Sequence, residues 1–341
     1  MTILLALALS QLCAAPEQQA IDGAIGKAVA WLKKEQSPNG AVGSNAGETA
    51  LALMALRHCR VPAGDPACEK AARRLERVLP DGSVYGAALG VLALLAQSPE
   101  RHKKEIRRLV DDLVKGQCVN GQWSYSYRKT ARKKAGDNSN TQIAILAMAA
   151  ARARRVPVPP HVFERCEAFF LGTQNPDGGY GYSDKQRKSS YASMTAGGAM
   201  ALQICAAGKR DVNVNDPSLR DLPAVKRALA WLGNGFRPGL NTGSAAAFGS
   251  KKGRRSDTFW RYYWLWSLER ACSTIGVDRI GEHDWYGEGA AFLLKEQHEQ
   301  GKWRGPEKSL QGTCFALLFL SRSTVAVTTP REKDKPVTTG K

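Results

Sequence analysis

What the 341-residue chain lacks bounds it first. No apolar run reaches the roughly 18 to 20 residues that a membrane-spanning helix needs, and the longest candidate, Ile3 to Leu9, is far too short. A multispanning membrane protein is excluded. Acidic residues are scarce: 31 Asp plus Glu stand against 49 Lys plus Arg, a net charge of +18, so the surface favours anionic partners. No phosphate-binding Gly-rich loop with a Lys, no Gly-x-Ser-x-Gly elbow and no paired metal motif occurs, so neither a cofactor nor a metal is expected. Hydrophobic residues make up 43% of the chain, enough for one large core or two small ones and too many for a disordered chain.

The first residues, MTILLALALSQLCAAP, are an apolar segment followed by small residues, the pattern of a secretory signal cleaved near Ala14 or Ala15. Its n-region carries no Lys or Arg. The expected location is periplasmic or secreted, with residues 1–15 as the signal and 323–341, rich in Ser, Thr, Pro and alternating charge, as a disordered tail. Cleavage removes Cys13 and leaves seven cysteines, an odd number, most of them among apolar helical residues and read as small core side chains. Cys59 and Cys68 flank a short loop that an oxidising compartment can staple.

An internal repeat sets the architecture. Gln36 to Val42, Gln117 to Trp123, Gln174 to Tyr180 and Gln297 to Trp303 share Gln, three residues, Gly, one residue, then an aromatic or Val. Weaker copies lie at Val78 to Val84 and around Trp231, making six units. Each opens with an amphipathic helical pattern and, after the Gly turn, continues with a smaller helix apolar on every side, such as VYGAALGVLALLA. A helix apolar all round wants burial all round. The amphipathic set therefore forms an outer layer around an inner apolar one.

This Gln-x3-Gly-x-Trp repeat resembles that of squalene and hopene cyclases and of protein prenyltransferase β subunits. The resemblance covers roughly residues 20 to 322 and implies an all-α fold, an α/α toroid of six helix pairs. In it the Gln is expected to bond backbone donors left free at the next helix start, the ring to pack between neighbouring pairs, and Gly to permit the turn. The chemistry of those families is missing. There is no Asp-x-Asp-Asp acid, the nearest string being Leu109-Val110-Asp111-Asp112 on an outer helix, and no Asp-x-Cys zinc pair.

In a closed ring the inner helices start at one mouth and bring their positive dipole ends there. The loops of that mouth carry Arg128, Lys129, Arg132, Lys133, Lys134, Lys185, Arg187, Lys188, Lys251, Lys252, Arg254 and Arg255, a basic rim suited to phosphate, diphosphate or acidic glycan. Below it an aromatic cavity is expected. Phe259, Trp260, Tyr262, Tyr263, Trp264 and Trp266 crowd eight residues, so some face inward and some outward, and Arg261 lies among them. Asn140, Thr141, Gln142, Ser193 and Thr195, near inner-helix starts, either cap helices or bond a ligand. Asp257 reads as an N-cap or a cavity acid, Glu269 as a candidate acid, Asp284 as an N-cap or acid, and His283 as its brace or a ligand.

The leading expectation is an exported toroid binding an amphiphilic anionic small molecule, such as an isoprenoid phosphate. The alternatives are a terpene cyclase or transferase with an unfamiliar acid, a toroid that binds or cleaves an acidic glycan through Arg and Tyr, and a scaffold in peripheral contact with the envelope. Nucleic acid is not expected for an exported chain.

Overall fold

The computed structural model describes residues 16–79, 82–128, 135–183, 189–219, 221–248, 256–305 and 308–322. The signal segment and the tail lie outside them. Among the described residues the elements are helices α1 Gln18–Lys34, α2 Ala46–His58, α3 Pro66–Arg77, α4 Val84–Gln97, α5 Lys103–Lys115, α6 Asn138–Ala153, α7 Pro160–Thr173, α8 Ala192–Arg210, α9 Pro223–Asn234, α10 Ser244–Phe248, α11 Arg261–Ile275, α12 Trp285–Glu296 and α13 Ser309–Leu320. Isolated bridges occur among them but no β-strand. Among the described residues no helix is long and apolar enough to cross a membrane.

The inner helices close a ring: α2 packs on α4, α4 on α6, α6 on α8, α8 on α11, α11 on α13, and α13 back on α2. Helices α1, α3, α5, α7, α9 and α12 form the outer layer, so the fold is the expected all-α toroid of six pairs, with the short α10 added in the fifth unit. Patterning decides the layers. Outer α5 buries Ile106, Leu109, Val110 and Leu113, one stripe at helical spacing, whereas inner α8 buries every residue from Ala192 to Ala207. Its Ala and Gly residues let neighbouring backbones approach.

The repeat motif joins each unit to the next. Gln36 Nε2 donates to the carbonyls of Gly40 and Ala67, Gln117 to those of Gly121 and Val162, Gln174 to those of Gly178 and Ala224, and Gln297 to those of Gly301 and Ala24. The partners are therefore acceptors, in its own turn and on the next unit's outer helix, where donors had been expected. The aromatic reaches back instead. Trp123 and Trp303 donate Nε1 to the carbonyls of Leu113 and Leu293, and Tyr180 its hydroxyl to that of Phe170, carbonyls in the last turns of outer helices.

The Gly is required twice over. Gly40, Gly121, Gly178 and Gly301 have φ between 85° and 90°, and a Cβ at each would meet a backbone carbonyl of the next outer helix, at 2.2 Å for Gly121 against Arg165. A fourth member of the motif sits on the inner helix. Thr49, Thr141, Thr195 and Thr313 accept through Oγ1 from the N–H of Val42, Trp123, Tyr180 and Trp303. All the cysteines from Cys59 to Cys314 are free thiols, so no staple joins Cys59 to Cys68.

Candidate functional site

Inner helices begin at one mouth, where their first N–H groups need acceptors. Three find them in the next unit: Val84 donates to the carbonyl of Tyr125, Asn138 to that of Tyr182 and Ala192 to that of Thr242. Side chains complete the caps. Asn45 accepts from the N–H of Glu48, Ser83 from Gly86, Asp137 from Asn140, and Asn241 from Ser193. This lacing fixes Tyr125 and Tyr182 over the mouth, where their hydroxyls are hydrogen-bonded to each other.

A cavity of about 710 Å³ opens there, within the roughly 300 to 1,000 Å³ typical of small-molecule sites. Its aromatic wall comprises Tyr85, Tyr125, Tyr182, Tyr191, Phe259, Trp260, Tyr263 and Phe315, and its polar wall Asn45, Ser83, Ser139, Asn140, Ser193, Asn241, Ser244 and Gln311. Deeper in, Tyr85 donates its hydroxyl to that of Tyr263 at 2.8 Å, and Ser139 Oγ lies 3.3 Å and 3.1 Å from the two phenols. Burial holds the Tyr85 phenol well above its ordinary pKa, with the Arg270 charge opposing, so it stays a neutral donor.

Among the described residues Glu48 is the one carboxylate that lines this cavity. Its oxygens are engaged: Oε2 accepts from the N–H and hydroxyl of Ser44, while Oε1 accepts from Gln311 Nε2 at 3.3 Å and lies 3.7 Å from Lys308 Nζ. Asp137 stands behind the wall. Burial raises its pKa against hydrogen bonds from Asn140 and Tyr182. Asn140 is 1% exposed, donates Nδ2 to Asp137, and keeps Oδ1 without a partner.

Of the residues singled out from the sequence, Asn140, Ser193, Phe259, Trp260 and Tyr263 line the cavity. Tyr262 donates to the carbonyl of Arg304, Trp264 to that of Arg237, and Arg261 pairs with Glu296 at 2.8 Å, all away from the mouth cavity. Trp266 is buried and stacked on Phe315, Gln142 accepts from Arg270, and Thr195 serves the repeat. Asp257 accepts from Ser244 Oγ and Ala245 N–H, capping α10, whereas α11 starts later behind Trp260, whose φ is 61°. Glu269 is fully buried and accepts from Ser273, Asp284 caps α12 through the N–H of Gly287, and His283 faces Glu288 at 3.1 Å. None of these acids lines the cavity. Arg254 and Arg255, with the rest of the basic rim except Arg128, lie outside the described residues.

Tyr125 and Tyr182 were passed over in favour of the aromatic cluster at 259–266. The signal for the two tyrosines was present: each stands two residues after the repeat aromatic, Trp123 or Tyr180, a position that alternation turns to the mouth.

No protein-family model matches the chain, and no curated protein matches it. Solved structures do. The chain is similar to an inactive variant of the GH76A α-1,6-mannanase of Salegentibacter sp. HEL1_6 in complex with α-1,6-mannotetrose, with a TM-score of 0.63 at 10% identity over 89% of this chain and 99% of that one. The Lin0763 protein of Listeria innocua gives 0.61 at 9% identity over 90% and 97%. A protein of Klebsiella pneumoniae described as a possible GH105 family member gives 0.58 at 12% over 95% and 99%. These likenesses show the α/α toroid, and they correct the squalene-cyclase and prenyltransferase resemblance. The physical reason is visible in the motif: its Gln, Gly, aromatic and Thr all serve helix-to-helix joints, so it reports the toroid and carries no chemistry.

Proposed function

We propose that the chain binds an oligosaccharide in the mouth cavity. A sugar ring offers apolar C–H faces and a girdle of hydroxyls, and the wall is complementary to both: aromatic rings for the faces, amides and hydroxyls for the edges. That mixed lining is the observation that carries the reading. The buried, unpartnered Oδ1 of Asn140 supports it as an acceptor for a hydroxyl. The toroid neighbour captured with α-1,6-mannotetrose lends the same fold a glycan ligand. An isoprenoid ligand has no such support.

Binding is favoured over hydrolysis. Glycoside cleavage uses two carboxyl groups flanking the scissile bond, and the described cavity wall presents Glu48 alone, with its oxygens held by Ser44, Gln311 and Lys308. The inactive mannanase variant lacks two adjacent aspartates. Adjacent aspartates occur here once, at Asp111 and Asp112 on outer α5, where Asp111 pairs with Arg107. Export, expected from residues 1–15, would place the cavity among extracellular glycans.

Titration calorimetry with α-1,6-mannotetraose, a neutral oligomer of a different hexose and an acidic oligosaccharide tests the proposal, the acidic arm being motivated by the net charge of +18. Saturable binding to at least one is expected, with no new reducing ends after prolonged incubation. Absence of binding to all three overturns the reading, and reducing-end release overturns the preference for binding over cleavage.

A further inference from the structure

The chain carries a net charge of +18, yet the described residues that line the mouth cavity include no Lys, Arg or His. Two cations stand nearby. Lys308 reaches Glu48 at 3.7 Å with 70% of its side chain exposed, and Arg270 lies behind Tyr263, its guanidinium 5.6 Å from the ring centroid. Neither lines the cavity.

The protons of the deep wall are spent within the protein. Tyr85, Tyr263 and Ser139 have one hydroxyl proton each and touch one another pairwise, Tyr85 with Tyr263 at 2.8 Å, Tyr263 with Ser139 at 3.1 Å and Ser139 with Tyr85 at 3.3 Å. Tyr85 donates to Tyr263, so the set closes as a ring when Tyr263 donates to Ser139 and Ser139 to Tyr85. Each oxygen then keeps a lone pair for a ligand and no proton. Asn140 is fixed in the same sense. Its Nδ2 donates to both oxygens of Asp137, so the amide cannot turn over without setting its own oxygen against that carboxylate, and Oδ1 is the atom left without a partner. Glu48 adds a carboxylate to the wall, with Oε1 accepting from Gln311 Nε2 at 3.3 Å. The amides of Asn45 and Asn241, whose oxygens cap inner helices, offer donors at the helix starts, and these are neutral.

A wall of acceptors dictates what a ligand must bring. A sugar hydroxyl supplies a proton to the wall and can also accept from the neutral amides. A carboxylate or a sulfate ester supplies no proton, faces lone pairs and the charge of Glu48, and finds no cation in the described lining. Taking the cavity as an oligosaccharide site, we propose that its deep wall selects sugar units without negative charge and rejects uronate and sulfated ones. A strongly basic protein would thus hold an uncharged glycan. The surface charge attracts anions at long range and is screened by salt, whereas hydrogen bonds missing at the wall are not restored by it.

Calorimetry on the full chain compares cellotetraose, the 1,4-linked glucuronate tetramer that differs from it only at C6, and α-1,6-mannotetraose, each at about 0.1 M and about 1 M salt. The expected result is saturable binding of a neutral tetramer, with the glucuronate tetramer weaker than the better neutral one by about tenfold or more at the higher salt. Ser139→Ala opens the hydroxyl ring and frees the Tyr263 proton for a ligand, so it should narrow that gap by about threefold or more at a parental thermal midpoint. A glucuronate tetramer that binds as tightly as the better neutral tetramer at the higher salt overturns the selection and leaves the oligosaccharide reading standing. Absence of binding by all three removes both. An unchanged gap in folded Ser139→Ala overturns the part given to the hydroxyl ring, and if that variant does not fold, the comparison of tetramers on the unaltered chain decides.

Discussion

Gln297 Nε2 donates to the carbonyl of Ala24 at 2.9 Å, joining residues 273 positions apart and locking the sixth unit onto the first. The same side chain donates to the carbonyl of Gly301 in its own turn. On the inner layer Glu48 and Gln311 repeat the closure between α2 and α13. Two layers of polar contacts thus close a ring whose other joints are made between units consecutive in sequence.

The Gln297 contact predicts a graded effect. Gln297→Leu keeps bulk but leaves two carbonyls short of a donor, a loss of about 1 to 3 kcal/mol when such groups are enclosed. The equivalent change at Gln36, whose partners Gly40 and Ala67 lie in consecutive units, should cost a similar amount at equilibrium. The two should differ in kinetics. The closing contact spans 273 positions, so it is expected to form late and its loss mainly to speed unfolding. Urea unfolding and refolding rates of the two variants check this, and a slowed refolding for Gln297→Leu would contradict it.

Gly121→Ala tests the backbone side of the motif. With φ at 90° and a Cβ placed 2.2 Å from the Arg165 carbonyl, alanine here combines left-handed strain with displacement of outer helix α7. We expect a loss above about 3 kcal/mol or failure to fold. Gly26→Ala, mid-helix in exposed α1 with nothing within 4 Å of the new Cβ, should stabilise by about 0.5 to 1 kcal/mol. Thermal midpoints of both variants give the comparison.

The contrast between these glycines also marks what could be read from sequence. Gln, Gly and aromatic recur at fixed spacing because each unit needs the same joint, so the six pairs and their layers were legible. The conserved geometry of Thr141, Thr195 and Thr313 was not: these residues lie 18, 15 and 10 positions after the aromatic, across loops of different length, and spacing therefore hid them. Thr141 and Thr195 were accordingly read as helix caps or ligand residues. The cavity was missed for a related reason. Six aromatics at 259–266 form the densest cluster, yet helix phase sends Tyr262 and Trp264 away from the mouth, while the wall draws single residues from many units that only ring closure brings together.

Acid sensitivity follows from His58. Burial first, and the Arg57 charge second, push its pKa down to about 4, and burial lowers that of His102 in the same direction. The unfolded chain then binds protons below about pH 6.5 that the folded chain refuses. Stability should therefore be full above that pH and decline between about 6.5 and 4. His58 is only half-buried as a residue, although its Nε2 is enclosed, so we expect a loss on the order of 2 kcal/mol, below what a fully enclosed ring would give. Urea midpoints measured across this range for the parent and for His58→Gln check it: the variant should show a shallower decline, and an identical one would remove His58 as a cause.

The mouth residue Tyr125 separates recognition from folding. Tyr125 is 67% exposed, so Tyr125→Ala should change the thermal midpoint little. Its backbone carbonyl, which accepts from Val84, is retained by any substitution. If the ring is a platform for a sugar face, its removal should weaken oligosaccharide binding by about 1 kcal/mol, roughly fivefold. Tyr263→Phe, deeper in the wall, is the complementary probe: it keeps the aromatic face and removes the hydroxyl that accepts from Tyr85. Calorimetry on both variants should show affinity reduced in each, with the enthalpy of binding changed more by the loss of the Tyr263 hydroxyl. Unchanged affinity for both, in variants with parental midpoints, would move the glycan away from this wall.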